Sequence, residues 1–161
     1  MKKTLLSIVT MAALVSSAAV YAQALEKNIQ VEAEVHSVVS MNKADGTPID
    51  KIKLNYDVQN NDGTYTHTEN IKIKSATANK VNISMPDTFE LKDKDGNHEF
   101  TDHKVTLGGK DMKPSLKAVS FDLDTASNDT DLDLVISAKQ PDSAPAGIYS
   151  GIVKLVIEEE N

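Results

Sequence analysis

Apolar side chains recur at every second position along most of this chain. Ile52, Leu54, Tyr56 and Val58 alternate with polar residues, Ile71 and Ile73 do so within 65–74, and Val81, Ile83 and Met85 do so before Pro86. A period of two puts alternate side chains on one face of an extended strand, whereas a helix needs apolar residues three and four apart. No window of a dozen residues shows that helical spacing, so the pattern predicts an all-β domain with little helix. Turn signals separate the runs: Asn60-Asn61-Asp62-Gly63, Asp95-Gly96-Asn97 within 91–100, Gly108-Gly109 after 101–107, and Pro145-Ala146-Gly147 before a last run, 148–157. Asn and Gly tolerate the positive φ that tight hairpins require. Two further runs, 117–123 and 132–138, flank a polar loop, Asp124 to Asp131. Seven or eight short strands punctuated in this way read as an immunoglobulin-like β-sandwich.

The N-terminus carries an export signal. Lys2 and Lys3 precede an apolar run from Leu5 to Val20, and Ala22-Gln23-Ala24 is a small-x-small cleavage site. The expected organisation is a signal peptide over 1–24 and one sandwich domain over 25–161. The run is barely long enough to span a bilayer, and no later segment approaches 20 unbroken apolar residues, so the mature domain is expected to be soluble. Taking 24 of the 161 residues away leaves 137, enough for a core of its own. Losing Lys2 and Lys3 carries the net charge from −7 to −9. All 17 basic residues are lysine. An acidic chain without arginine is poorly equipped to neutralise phosphates, which argues against nucleic acid as a partner. Cysteine is absent, so an exported domain of this kind must be held by burial and hydrogen bonds, or by a partner.

Two strands stand out. The first follows the cleavage site with no linker: Leu25, Ile29, Val31, Ala33 and Val35 share one face, and Gln30, Glu32, Glu34 and His36 the other. An apolar-faced strand at a free N-terminus suggests a segment offered to a partner. The second is the last run, where Tyr149, Gly151, Val153, Leu155 and Ile157 lie on one face and Ile148, Ile152 and Val156 on the other. A strand apolar on both faces reads as the centre of an ordinary sandwich, or as a strand beside a groove that another chain's strand fills.

No catalytic constellation is present. His36, His67, His98 and His103 fall on polar faces or in turns, and nothing assembles nucleophile, base and orienting group together. No metal or cofactor is expected. His98 and His103 lack partners at zinc-ligand spacing. Asp93, Asp95, Asn97 and Glu99 read as a hairpin, because the Gly comes too early for a calcium loop. Asp122, Asp124, Asp129, Asp131 and Asp133 could suit calcium, but read better as outward residues of a solvated loop and its flanking strands. Gly108-Gly109-Lys110 lacks the remainder of a phosphate loop and reads as a turn.

The run Leu25-Glu26-Lys27-Asn28-Ile29-Gln30-Val31-Glu32-Ala33-Glu34-Val35 resembles the mature start of major pilins in the colonisation factor antigen I class. These are the alpha-type fimbriae of the chaperone–usher pathway, which include cable pili. Ala44-Asp45-Gly46 fits the family's turn after the first strand, and Lys53-Leu54-Asn55-Tyr56 looks like the next strand. Leu134 to Ala138 and Ala146 to Val156 look like its last two strands. The acidic tail Glu158-Glu159-Glu160-Asn161 departs from a more neutral ending. The resemblance implies an incomplete immunoglobulin-like sandwich, completed by a donor strand from a neighbouring subunit.

On that reading residues 25–36 are the donor strand, with Leu25, Ile29, Val31, Ala33 and Val35 entering the neighbour. Tyr149, Val153, Leu155 and Ile157 belong to the acceptor groove or core. The implied partners are other copies of the chain, a periplasmic chaperone, an outer-membrane usher and, as a further candidate, a tip adhesin. The expected product is a surface fimbrium supporting adhesion. The rival reading is a monomeric secreted module that binds carbohydrate or protein, with residues 25–36 paired inside their own domain.

Overall fold

The structure is a computed structural model that describes residue 30, residues 38–114 and residues 116–160. The signal segment and the inward residues Leu25, Ile29, Val31, Ala33 and Val35 lie outside the described residues. Residues 38 onward belong to one compact unit, Val35–Asn161. Among the described residues it contains strands and turns and no helix.

Two antiparallel strands form the spine. β3 (Thr64–Ser75) and β9 (Asp129–Lys139) pair in unbroken register from Thr64↔Lys139 to Lys74↔Asp129. The larger sheet is built around them in the order β1-β3-β9-β6-β7, with β1 (Val39–Lys43), β6 (Thr101–Leu107) and β7 (Lys110–Met112). β2 (Asn55–Tyr56) also pairs with β3, so β1 and β2 lie in tandem along one side of that strand. A second sheet runs β11-β4-β8, from β4 (Lys80–Ser84), β8 (Val119–Asp122) and β11 (Val156–Glu159). β5 (Lys92–Asp93) and β10 (Tyr149–Ser150) make a small separate pair.

The period of two is what builds the core. Ile71 and Ile73 of β3, Val105 and Leu107 of β6, and Leu134, Ile136 and Ala138 of β9 pack with Val81 and Ile83 of β4 and Phe121 of β8. The alternate positions face water and are charged: Lys72 reaches Asp131 and Asp129 across the β3–β9 ladder at 3.3 and 3.8 Å. Burial of these aliphatic chains is the main source of stability in a chain without disulfides, at roughly 1.5–3 kcal/mol for each large one.

Several elements differ from the sequence expectation. The run 52–58 supplies only the two residues of β2 to a ladder. Ile52 and Leu54 do pack on the core, but Asp57 turns the chain by accepting from the N–H groups of Gln59 and Asn60, leaving Val58 exposed. β1 and β7 are additional strands. β7 follows Gly108-Gly109, both at positive φ (53° and 76°), in a two-residue hairpin that pairs Leu107 with Lys110.

The last run is not one strand. It pairs with β5 through Tyr149 and Ser150, then leaves the ladder over 151–155 and joins β4 at Val156. The cause is a change of partner at a tight crossing. A Cβ built on Gly151 would overlap the Glu90 carbonyl oxygen, and the Phe89 ring lies just beyond. Only glycine allows the two backbones to approach so closely.

Candidate functional site

Within the described residues, the last strand lies at an edge rather than at the centre of a sheet: β11 pairs with β4 alone. Its two faces are unequal. Tyr149, Val153, Leu155 and Ile157 are half-buried against the core, while Ile148 and Ile152 on the other side are 87% and 83% exposed. All four groove-or-core residues therefore lie partly buried against the core.

Among the described residues β1 is the corresponding edge of the larger sheet, where it pairs with β3 alone. Its Val39 and Met41 are half-buried against the same core. Cα atoms of β1 and β11 come within 8 Å of each other, so two sheet edges with apolar backing stand side by side. The opposite side of the sandwich is closed. There β7 and β8 are joined by residues 113–118, and Lys110 clasps them: its Nζ donates to the Ser120 carbonyl at 2.9 Å and lies 4.5 Å from the centre of the Phe121 ring.

One end of the β1/β11 edge is fastened by the acidic tail. Ser75 is buried, and its Oγ accepts from the N–H groups of Thr77 (3.1 Å) and Ala78 (2.8 Å) while donating to Glu159. Thr77 Oγ1 donates to the same carboxylate at 3.0 Å. Glu160 accepts from Ser120 Oγ at 2.9 Å, and its N–H bonds the Lys80 carbonyl at 3.0 Å. The strand thus runs on through Glu158 to Glu159, and the acidic ending serves as its anchor. Hydroxyl donors matched by a carboxylate make stronger bonds than neutral pairs.

At the other end Tyr149 stands on an aromatic ladder. Tyr56, Tyr65, Phe100 and Tyr149 contact one another edge to face, with successive centroids 5.5, 5.4 and 5.0 Å apart. The Tyr149 hydroxyl donates to the Pro145 carbonyl at 2.9 Å. A rigid apolar ring with its polar tip satisfied fixes where the last strand enters the fold.

The carboxylates singled out in the sequence are divided among separate tasks. Asp129 and Asp131 pair with Lys72, Asp122 with Lys80, and Asp133 accepts from Asn70. Asp124 closes its own turn, and the N–H groups of Ala126 and Ser127 hold its carboxyl below the usual range. Asp93 is held low mainly by its hydrogen bond with His98, and also caps Asn97 N–H within the hairpin. No group of three acidic or histidine side chains among the described residues is arranged around a common point. Calorimetric titration is therefore expected to show no calcium site tighter than about 10 µM, the weak limit of the sensor range; a tighter one would mean that these loops rearrange around the ion.

Among the described residues the fold is an antiparallel β-sandwich whose β1 and β11 edges are unpaired on their outer sides. A solved structure described as the CooA pilin subunit from enterotoxigenic Escherichia coli matches with a TM-score of 0.61 at 18% identity, covering 75% of this chain and 86% of that one. No curated protein matches the chain. The family model for the CS1 type fimbrial major subunit matches residues 25–158, and the chain belongs to that family. It is a structural subunit of a cell-surface fimbria rather than an enzyme, and it polymerises with other subunits.

Proposed function

We propose that the subunits join head to tail by donor-strand exchange. Residues 25–36 of one subunit add as a strand along the β1/β11 edge of the next. Leu25, Ile29, Val31, Ala33 and Val35 then meet the side of the core on which Val153, Leu155 and Ile157 lie. The observation that carries this is the pair of adjacent apolar-backed edges, β1 and β11, opposite a side that Lys110 closes. Main-chain hydrogen bonds to such an edge supply affinity, and alternate side chains supply specificity. A strand bonded to both edges would hold them about 9.6 Å apart, twice the ladder spacing, so the groove widens as it fills. A head-to-tail contact does not close on itself, and a filament results.

Before assembly an edge of this kind is an aggregation hazard. A periplasmic chaperone covering it and an outer-membrane usher exchanging it for the donor strand complete the proposal, with a tip adhesin as a possible terminal partner. Family membership supports this route.

Self-complementation tests it. Residues 25–37 moved behind Asn161 through a short flexible linker are expected to give a stable monomer, because the tethered strand fills its own groove at millimolar effective concentration or thereabouts. The unaltered mature chain is expected to form polymer ladders and, as a monomer, to melt at lower temperature. Two monomers of equal stability would instead favour the secreted binding module, with residues 25–36 paired in their own domain.

A further inference from the structure

Among the described residues, His103 is the one histidine whose ring bonds backbone. The β6–β9 register shifts between Thr101 and Lys104, and Asp102 takes a left-handed φ of 49°. A bulge of this kind re-aims the side chain beside it. The ring of His103 meets Phe89 edge-on, with centroids 5.2 Å apart, and its Nε2 accepts the Leu91 N–H at 3.0 Å. A nitrogen that accepts cannot carry a proton, so the ring is neutral here, with its proton on Nδ1.

The segment held by this bond carries the last strand. Leu91 is followed by Lys92 and Asp93, which pair with Ser150 and Tyr149, and it is preceded by Glu90, which packs on Gly151. The ring also borders a surface cavity of about 240 Å³, lined by Met85, Phe89, Val105, Met112 and Lys113 among others, which gives solvent protons a route to it.

We infer that His103 is a positioning residue for the last strand and that its protonation releases the 149–151 crossing. Once charged, Nε2 becomes a donor facing the Leu91 donor, and the bond is replaced by a repulsion. The charged groups around the ring are Glu90 and Lys92 on the held segment, Asp93 with its partner His98, Glu99, Asp102 and Lys104 on its own strand, and Lys113 across the cavity. Burial lowers the proton affinity of His103 below the ordinary imidazole value of 6.5, against the opposing pull of Glu99, Glu90 and Asp102. The folded form therefore binds the proton less readily than the unfolded chain. The stabilisation is complete above pH 6.5 and declines as the pH falls below it. The assignment of the last strand as a groove wall comes from the proposed assembly, but the crossing itself does not depend on it.

Hydrogen–deuterium exchange on the full chain reads the crossing directly. Between about pH 7.5 and about pH 5, corrected for intrinsic rates, protection over 89–93 and 148–151 is expected to fall on the order of tenfold. In His103→Gln, whose side-chain carbonyl accepts without titrating, it should stay level; this comparison also removes the contribution of His98. Equal pH dependence in both proteins, or none in the wild type, would overturn the inference. Nitrogen-15 shifts of the wild-type ring test it without a variant: a proton on Nε2 at about pH 7.5 would overturn it as well. Exchange at the crossing that follows this pattern while self-complementation fails would sink the donor-strand proposal and leave this one standing.

Discussion

Val31→Lys is expected to abolish surface fimbriae while leaving a folded subunit. On the donor-strand proposal, Ile29, Val31, Ala33 and Val35 enter the neighbour's groove. Burial of that set contributes roughly 5–10 kcal/mol before ordering costs. Val31 lies mid-strand, where fraying cannot relieve a misfit. A lysine there would bring an ammonium against the apolar side chains of the groove, Val153, Leu155 and Ile157, with no evident partner, at a cost on the order of several kcal/mol. In the proposed exchange the strand completes its neighbour's sandwich, so the substitution should penalise the contact rather than the fold of the subunit that bears it. Glu32→Lys, one residue away on the outward face, should assemble nearly normally. Electron microscopy of the cell surface and polymer ladders on gels compare the two. Equal assembly by both, or loss of the folded subunit with Val31→Lys alone, would mean that residues 25–36 do not serve as a donor strand.

Gly151→Ala is expected to do the opposite and destroy the subunit itself. The added Cβ would overlap the backbone carbonyl of Glu90 and press on the Phe89 ring, and a main-chain carbonyl two residues from the β5 pairing cannot swing away as a flexible side chain can. The overlap sits where the last strand changes partner between β5 and β4, so relieving it pulls Tyr149 off the aromatic ladder. A destabilisation of about 3 kcal/mol or more is expected. It outweighs the roughly 0.4–1 kcal/mol that Gly→Ala gains by restricting the unfolded chain. Gly147→Ala is the control, since nothing lies within 4 Å of a Cβ built there and its φ is not positive. It should be neutral or slightly stabilising. Denaturant unfolding of the self-complemented monomer measures both, and an unchanged midpoint for Gly151→Ala would show that the crossing has room to spare.

These two glycines illustrate how much was legible in the chain itself. Gly147 closes the turn before the last run and Gly151 lies inside that run, but nothing in the alternation shows that only Gly151 meets another backbone. The spacing of Ile71, Ile73, Val105, Leu107, Leu134 and Ile136 was sufficient to identify strands and their inward faces, because side-chain alternation is a local property of extended backbone. The turns at Asp95-Gly96 and Gly108-Gly109 were legible for the same reason. The strand β7 beyond Gly108-Gly109 could have been found from that hairpin signal, but three residues with one inward Met carry almost no periodicity. β1 was hidden likewise, with only Val39 and Met41 facing inward.

By itself, then, the sequence determined an all-β chain, an alternating apolar pattern over 25–36, and the residues able to face a core. Those are consequences of local geometry and composition. Which strands pair, and so which edges stay open, was decided only by the tertiary structure. The apolar character of 148–157 suggested a central strand or one beside a groove. The fold instead breaks it at Gly151, leaves Ile148 and Ile152 in solvent, and anchors its acidic end on Ser75 and Thr77. The bond from Leu91 to His103 likewise depends on a one-place slip in the β6–β9 register. Pairing and register join residues far apart in the chain, and they follow from how the whole set of strands closes around one core rather than from any single segment's pattern.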